Sequence, residues 1–74
     1  MIANAYRYES TRAKALEIDR CDDREACIEM AIEAISNGMC DEGISDNGKM
    51  LAAHALCRAL DITLLDMMRA HEEE

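Results

Sequence analysis

The chain has 74 residues, 16 acidic against 8 basic side chains for a formal charge of −8, two Tyr, and no Phe, Trp or Pro. One domain is the most this length allows, the acid excess argues against direct contact with nucleic-acid phosphates or anionic membranes, and no apolar run approaches the roughly 18 residues of a membrane span. A chain so small buries only about 60% of its unfolded surface and usually needs oligomerisation, a metal or disulfides in support; its core of Leu, Ile, Met and Ala suits packed helices rather than sheets.

In chain order, AYRYESTRAKALEID predicts a first helix over residues 5–19, with Ala5, Tyr8, Ala15, Leu16 and Ile18 as a thin apolar stripe. Tyr6, Arg7, Tyr8, Arg12 and Lys14 make it the most basic part of an acidic molecule. Tyr6 and Tyr8 are candidate partner-binding anchors, because Tyr is enriched at binding hot spots. Arg20 to Asp22 is a break. Asp22 or Asp23 can cap the next helix, and Glu25, three residues after Asp22, resembles the reciprocal member of a capping box. That second helix covers residues 23–36, with Ile28, Ala31, Ile32 and Ile35 at i, i+3, i+4, i+7 as its core stripe. Asn37-Gly38 is expected to end it through a left-handed glycine.

Residues 37–48, NGMCDEGISDNG, hold all three glycines and connect helices two and three into an antiparallel hairpin. Met39 at the loop tip, beside Asp41 and Glu42, is a further partner-binding candidate. Ser45 or Asp46 caps the long helix over residues 46–70. In it Met50, Ala53, Leu56, Cys57, Leu60, Leu64, Met67 and Met68 share one broad face at about 100° per residue. Leu51, Ile62 and Leu65 fall off that face, among polar positions. A helix with one buried face does not need that second group, so this one has two apolar surfaces to cover. The expected dimer interface is Leu51, Ile62, Leu65 and Met68.

The four cysteines, at 21, 27, 40 and 57, are spaced unlike the paired ligands of zinc sites. With no signal peptide and no membrane-spanning candidate in the sequence, the expected compartment is the cytoplasm, where thiols stay reduced. Cys27 and Cys57 read as small buried hydrophobes on apolar helix faces. His54-x-x-Cys57 is the one close pair; it is half a metal site, and as a nucleophile and base it lacks an oxyanion hole. His54 reads instead as a polar-face or interface histidine, and Asp61 as the partner of Arg58. No phosphate-binding glycine loop is present. The expectation is a protein without catalytic residues, metal or cofactor.

HALCRALDITLLDMM resembles the last part of Cro-type repressor domains, which implies a turn near Asp61-Ile62-Thr63 between two helices. A recognition helix of that kind needs basic and amide residues, and CDEGISDNG before it is acidic. More of the chain, YRYESTRAKALEIDRCDDREACIEMAIEAISNG followed by an apolar helix from Met50 to Met68, resembles the anti-quorum-sensing proteins of pseudomonad phages in size, charge and helix layout. That resemblance implies a homodimer of helical hairpins that binds a host LuxR-type transcription activator and blocks its DNA binding. It also implies inhibition of the type IV pilus assembly ATPase. The alternative is a helical dimerisation or adaptor module with an unrelated partner. The expectation is therefore an all-α single domain over 1–74, a helical hairpin with a short N-terminal helix, homodimeric, whose partner is a regulatory protein with a basic surface, not nucleic acid or membrane.

Overall fold

The structure, a computed structural model, describes residues 9–72. It is mostly helical: α1 spans Glu9–Asp19, α2 Arg24–Gly38 and α3 Asp46–Glu72. The end of α1 and both ends of α2 and α3 lie within about two residues of the boundaries expected from sequence, and the expected start of the first helix at Ala5 lies outside the described residues. The starts of α2 and α3 have local causes. Asp23 is the N-cap of α2, its carboxylate accepting from Ala26 N at 3.3 Å. Ala26 stands where a capping box would need Glu, so the reciprocal half is missing. Ser45 Oγ accepts from Gly48 N at 3.1 Å and caps α3, satisfying one of the free amides of its first turn.

The α2–α3 connection differs from the plain loop expected. Met39–Cys40 (β1) and Gly43–Ile44 (β2) form an antiparallel two-rung ladder, Met39 opposite Ile44 and Cys40 opposite Gly43. Gly43 has φ +123°, where a side chain would be strained. Gly38 does not end α2 in a left-handed conformation; Gly43 alone has positive φ among the described residues. Its role is close approach. A Cβ on Gly38 would stand 3.0 Å from Gly48 Cα and 2.9 Å from Ser45 Oγ. A Cβ on Gly48 would meet Ala34 O, Gly38 Cα and Ile44 Cγ2, each at 3.1 Å. Gly48→Ala is therefore expected to destabilise by about 1–3 kcal/mol through overpacking, more than the roughly 1 kcal/mol of helix propensity it gains. Urea unfolding measures it, and an unchanged or raised midpoint would refute the close crossing.

The crossing continues along both helices as a seam of small residues. Cys27, Ala31 and Ala34 of α2 face Ala52, Ala55 and Ala59 of α3, all buried. This corrects the core expected from sequence. Ile28 and Ile32, taken as core, are exposed, Ile32 to 59%. The face of α3 that carries Met50, Leu56, Leu60, Leu64 and Met67 is exposed as well, and so is Cys57. The inner face is Gly48, Ala52, Ala55 and Ala59 instead. The physical reason is distance: helices in contact through Gly and Ala come together at the near end of the usual 8–10 Å range, where Leu does not fit.

α1 packs on one side of this two-helix layer. Ala15 and Ile18 are buried there, Ile18 joining Ala31, Ala34, Ala52 and Ala55 in one cluster with Met30, Ile35 and Leu51 packed against it. Polar groups fasten the same side. His54 Nε2 donates to Asp19 Oδ1 at 2.7 Å. Arg58 donates through Nε to the Cys21 carbonyl at 2.8 Å and through a terminal nitrogen to Asp22 Oδ1 at 3.3 Å. His54 is thus buried rather than set on a polar face, and Arg58 serves the α1–α2 joint rather than Asp61. α3 runs unbroken through Asp61, Ile62 and Thr63, so the turn that a helix-turn-helix would place there is not formed.

Candidate interaction surface

A step of two residues along a helix turns the side chain roughly 160°. Met30 of α2 and His54 and Arg58 of α3 face α1; two residues away stand Ile28, Ile32, Leu56 and Leu60. These four therefore lie on the opposite side of the layer, which no described element covers. Their exposures agree: 39% for Ile28, 50% for Leu56 and 56% for Leu60. The face continues along α3 through Leu64 and Met67, 47% and 63% exposed. Contiguous exposed apolar area of this kind marks an interaction site more often than a solvated surface.

α3 also outruns its hairpin. Arg24, the first residue of α2, donates to Thr63 Oγ1 at 3.1 Å, and Thr63 Oγ1 donates to the Ala59 carbonyl at 2.9 Å. Residues 64–72 lie past that contact and are all exposed. The described chain is accordingly long, 50 × 24 × 14 Å.

Acidic groups lie elsewhere. Glu25, Glu29 and Glu33 run along the exposed back of α2, and Asp41 and Glu42 form the exposed turn between β1 and β2. Lys14 lies 3.5 Å from both Glu33 and Glu17. Those carboxylates, Glu33 first, raise the Lys14 ammonium above its ordinary range. The pair is exposed on both sides and adds little stability.

Of the residues singled out from sequence, Met39 is 68% exposed beside the acidic turn of Asp41 and Glu42, so those three do come together. Tyr6 and Tyr8 lie outside the described residues. Leu51 packs inside the chain against Ile18 and Ala15, and Ile62 is half-buried, whereas Leu65 and Met68 are exposed. The four assigned to a dimer interface therefore do not form one open surface. Ile28, Ile32, Leu56 and Leu60 do, and their spacing was visible; what hid them was reading their stripes as core.

Other chemistry has little footing. Among the described residues no three His, Cys, Asp or Glu side chains gather as metal ligands would, and no described helix is long and apolar enough to cross a membrane. A cleft of about 350 Å³ opens where α1 meets the glycine crossing, lined among others by Ile18, Met30, Asn37, Ser45 and Leu51. Its one lining hydroxyl, that of Ser45, already caps α3. His54 turns to Asp19 while Cys57 is exposed, so the two do not act as a base and a nucleophile.

The thiols separate by environment. Burial, with a hydrogen bond from the neutral Cys27 thiol to Cys21 as the second cause, pushes that thiol up to about 11. Its neutral form is thus favoured on folding, and the corresponding stability is present below the ordinary value of 9.0 and lost as pH rises toward 11. Thermal midpoints should fall over that window, and by less in Cys27→Ala. Native protein should react with a disulfide reagent first at Cys40 and Cys57, which are exposed, and at Cys27 only on unfolding. Rapid modification of Cys27 in folded protein would contradict the burial.

No family model, characterised protein or solved structure matches this chain.

Proposed function

We propose that this chain is a small acidic interaction module without enzymatic activity, which pairs with itself and binds a protein with a basic surface. The single observation that carries this reading is the open apolar face on the α2/α3 layer, with carboxylates kept off it on the back of α2 and on the β1–β2 turn. Such a division suits two partners: one met by burial of apolar area, the other by charge. The partner in this reading is a bacterial transcription activator of the LuxR type, in the host cytoplasm, whose DNA-binding surface the carboxylates occupy in place of phosphates. The resemblance to phage anti-activators supplies that identity, and it adds the pilus assembly ATPase as a second target.

Met39, Asp41 and Glu42 are the described residues that contact the activator in this reading, with Tyr6 and Tyr8. The test is a mobility-shift competition with a purified LuxR-type activator on its labelled duplex. The chain should release the duplex, without shifting DNA when added alone. Electrostatic attraction should weaken its affinity about tenfold or more between low and physiological-plus salt. Asp41→Lys with Glu42→Lys should slow association by a similar factor. Failure to release DNA would remove the anti-activator reading and leave an interaction module whose partner is of another kind.

A further inference from the structure

We infer that a second copy of this chain covers the open face. Its α3 lies antiparallel to the first, and two α2/α3 layers close a four-helix bundle with both α1 helices outside. This deepens the interaction-module reading and rests on it.

The first ground is the composition of the chain's own core. Apart from Ile18, the buried apolar side chains among the described residues are those of Ala and Cys. Ile28, Ile32, Leu56, Leu60, Leu64 and Met67 are all exposed. The large aliphatic groups that normally supply a core thus sit where no described part of the chain covers them.

The second ground is spacing. Met50, Ala53, Cys57, Leu60, Leu64 and Met67 follow one another at steps of three, four, three, four and three. That is the heptad rhythm by which one helix seats in another of the same rhythm. The chain itself carries the matching helix.

The third ground is charge. A molecule with a formal charge of −8 repels its own copy unless they meet across neutral ground. The centre of the face, Ile28, Ile32, Ala53, Leu56, Leu60 and Leu64, carries no charged side chain, and Glu25 and Lys49, seven residues before Ile32 and Leu56, stand at its ends. The fourth is size. The large apolar side chains on the face, 38–63% exposed, present on the order of 600–700 Å² per copy, close to the roughly 800 Å² per partner of a specific interface.

Direction follows from the overhang. Side by side and parallel, the two α3 ends would meet only each other, and Lys49 and Asp61 would each stand near their own copies. Antiparallel, Met50 faces Met67 of the second copy, Ala53 faces Leu64 and Cys57 faces Leu60. The overhanging turns of each α3 then cover the layer of the other, and small residues meet large ones.

Sedimentation equilibrium of the full chain at micromolar concentration should give twice 8.3 kDa, with a melting midpoint that falls on dilution. Leu60→Glu and, separately, Ile32→Glu should raise the dimer dissociation constant at least about 100-fold, since each buries an unpaired charge. Leu65→Glu, seven residues past Arg58 and so on the side of α1, should leave it within about threefold. With Cys40→Ser and Cys57→Ser in place, Ala53→Cys combined with Leu64→Cys should form an interchain disulfide under diamide, and neither substitution alone should. A folded monomer with a concentration-independent midpoint overturns the inference. So does dissociation by Leu65→Glu but not by Leu60→Glu or Ile32→Glu, and so does cross-linking through the introduced cysteine, at position 53 or 64, of a variant that carries only one of the two. A folded monomer would also remove self-pairing from the proposed function, but none of these outcomes decides whether the chain releases an activator from DNA, so the anti-activator reading fails separately.

Discussion

Ala55→Leu is expected to remove about half of the fold's stability at room temperature and to lower its melting midpoint steeply. Ala55 is fully buried and belongs to the cluster with Ile18, Ala31, Ala34 and Ala52. The buried α2 residues of its cluster, Ala31 and Ala34, are alanines on a helix backbone, which leaves little room for three more carbons between the two helices. Overpacking of a tight core costs about 1–3 kcal/mol and sometimes more, against a total stability on the order of 5 kcal/mol for a domain this small. Far-UV circular dichroism through a thermal ramp measures the effect. Ala13→Leu, on an exposed position of α1, should stay within about 0.5 kcal/mol of the parent. A cooperative melt for Ala55→Leu near the parental midpoint would mean the helices lie farther apart than the glycine contacts indicate.

The second large effect is an asymmetry. His54 is 7% exposed, and its Nδ1 has no hydrogen-bond partner among the described residues. Its ring is held by Asp19 alone, whose side chain remains 36% exposed. Asp19→Ala strips the buried imidazole of its one bond and should cost about 2–3 kcal/mol, the penalty of a buried unsatisfied polar group. His54→Leu leaves a carboxylate that water still reaches, so it should cost less, about 1 kcal/mol or under. Urea midpoints of the two variants decide. Equal losses, or a larger loss for His54→Leu, would place the strength of the contact in the packing of the ring rather than in its bond to Asp19.

Much of the helical layout was legible. Asp23, Ser45 and the glycines mark the breaks, and between them Ala, Leu, Met and Glu run without a β-branched cluster or a Pro. The hairpin was legible too, because a connection of this length returns the chain on itself. What could not be read was which stripe turns inward. Periodicity locates stripes but ranks them by hydrophobicity, and by that measure Met50 to Met67 outranks Gly48, Ala52, Ala55 and Ala59. Packing ranks them differently: two glycines facing each other at a crossing set the interhelical distance, and that distance selects small side chains. On α2 the same error is a rotation, since Ala31 and not Ile32 lies at the centre of contact. The place of His54 is hidden in the sequence because it sits one residue before Ala55, at the edge of the inner face, where only the position of Asp19 reveals its partner. Cys57, by contrast, was assigned to the correct stripe, and its exposure followed once the stripe turned outward. A ladder of two rungs leaves no pattern in a loop rich in Gly and Asp. Leu51 is the plainest lesson for the site: it lies off the main stripe because it packs under α1, not because a second molecule awaits it.

The overhang of α3 has a consequence for amide hydrogen exchange. Residues 64–72 are helical but exposed on every side, and a few helical turns without packing are marginal in water. Deuterium should enter Leu65 to Ala70 within the dead time of the measurement if nothing else shields them, while Ala52 to Ala59 resists for as long as the molecule stays folded. Slow labelling at both ends of the same helix would signify a shield supplied from outside the chain, and its dependence on protein concentration would report how tightly that shield is held.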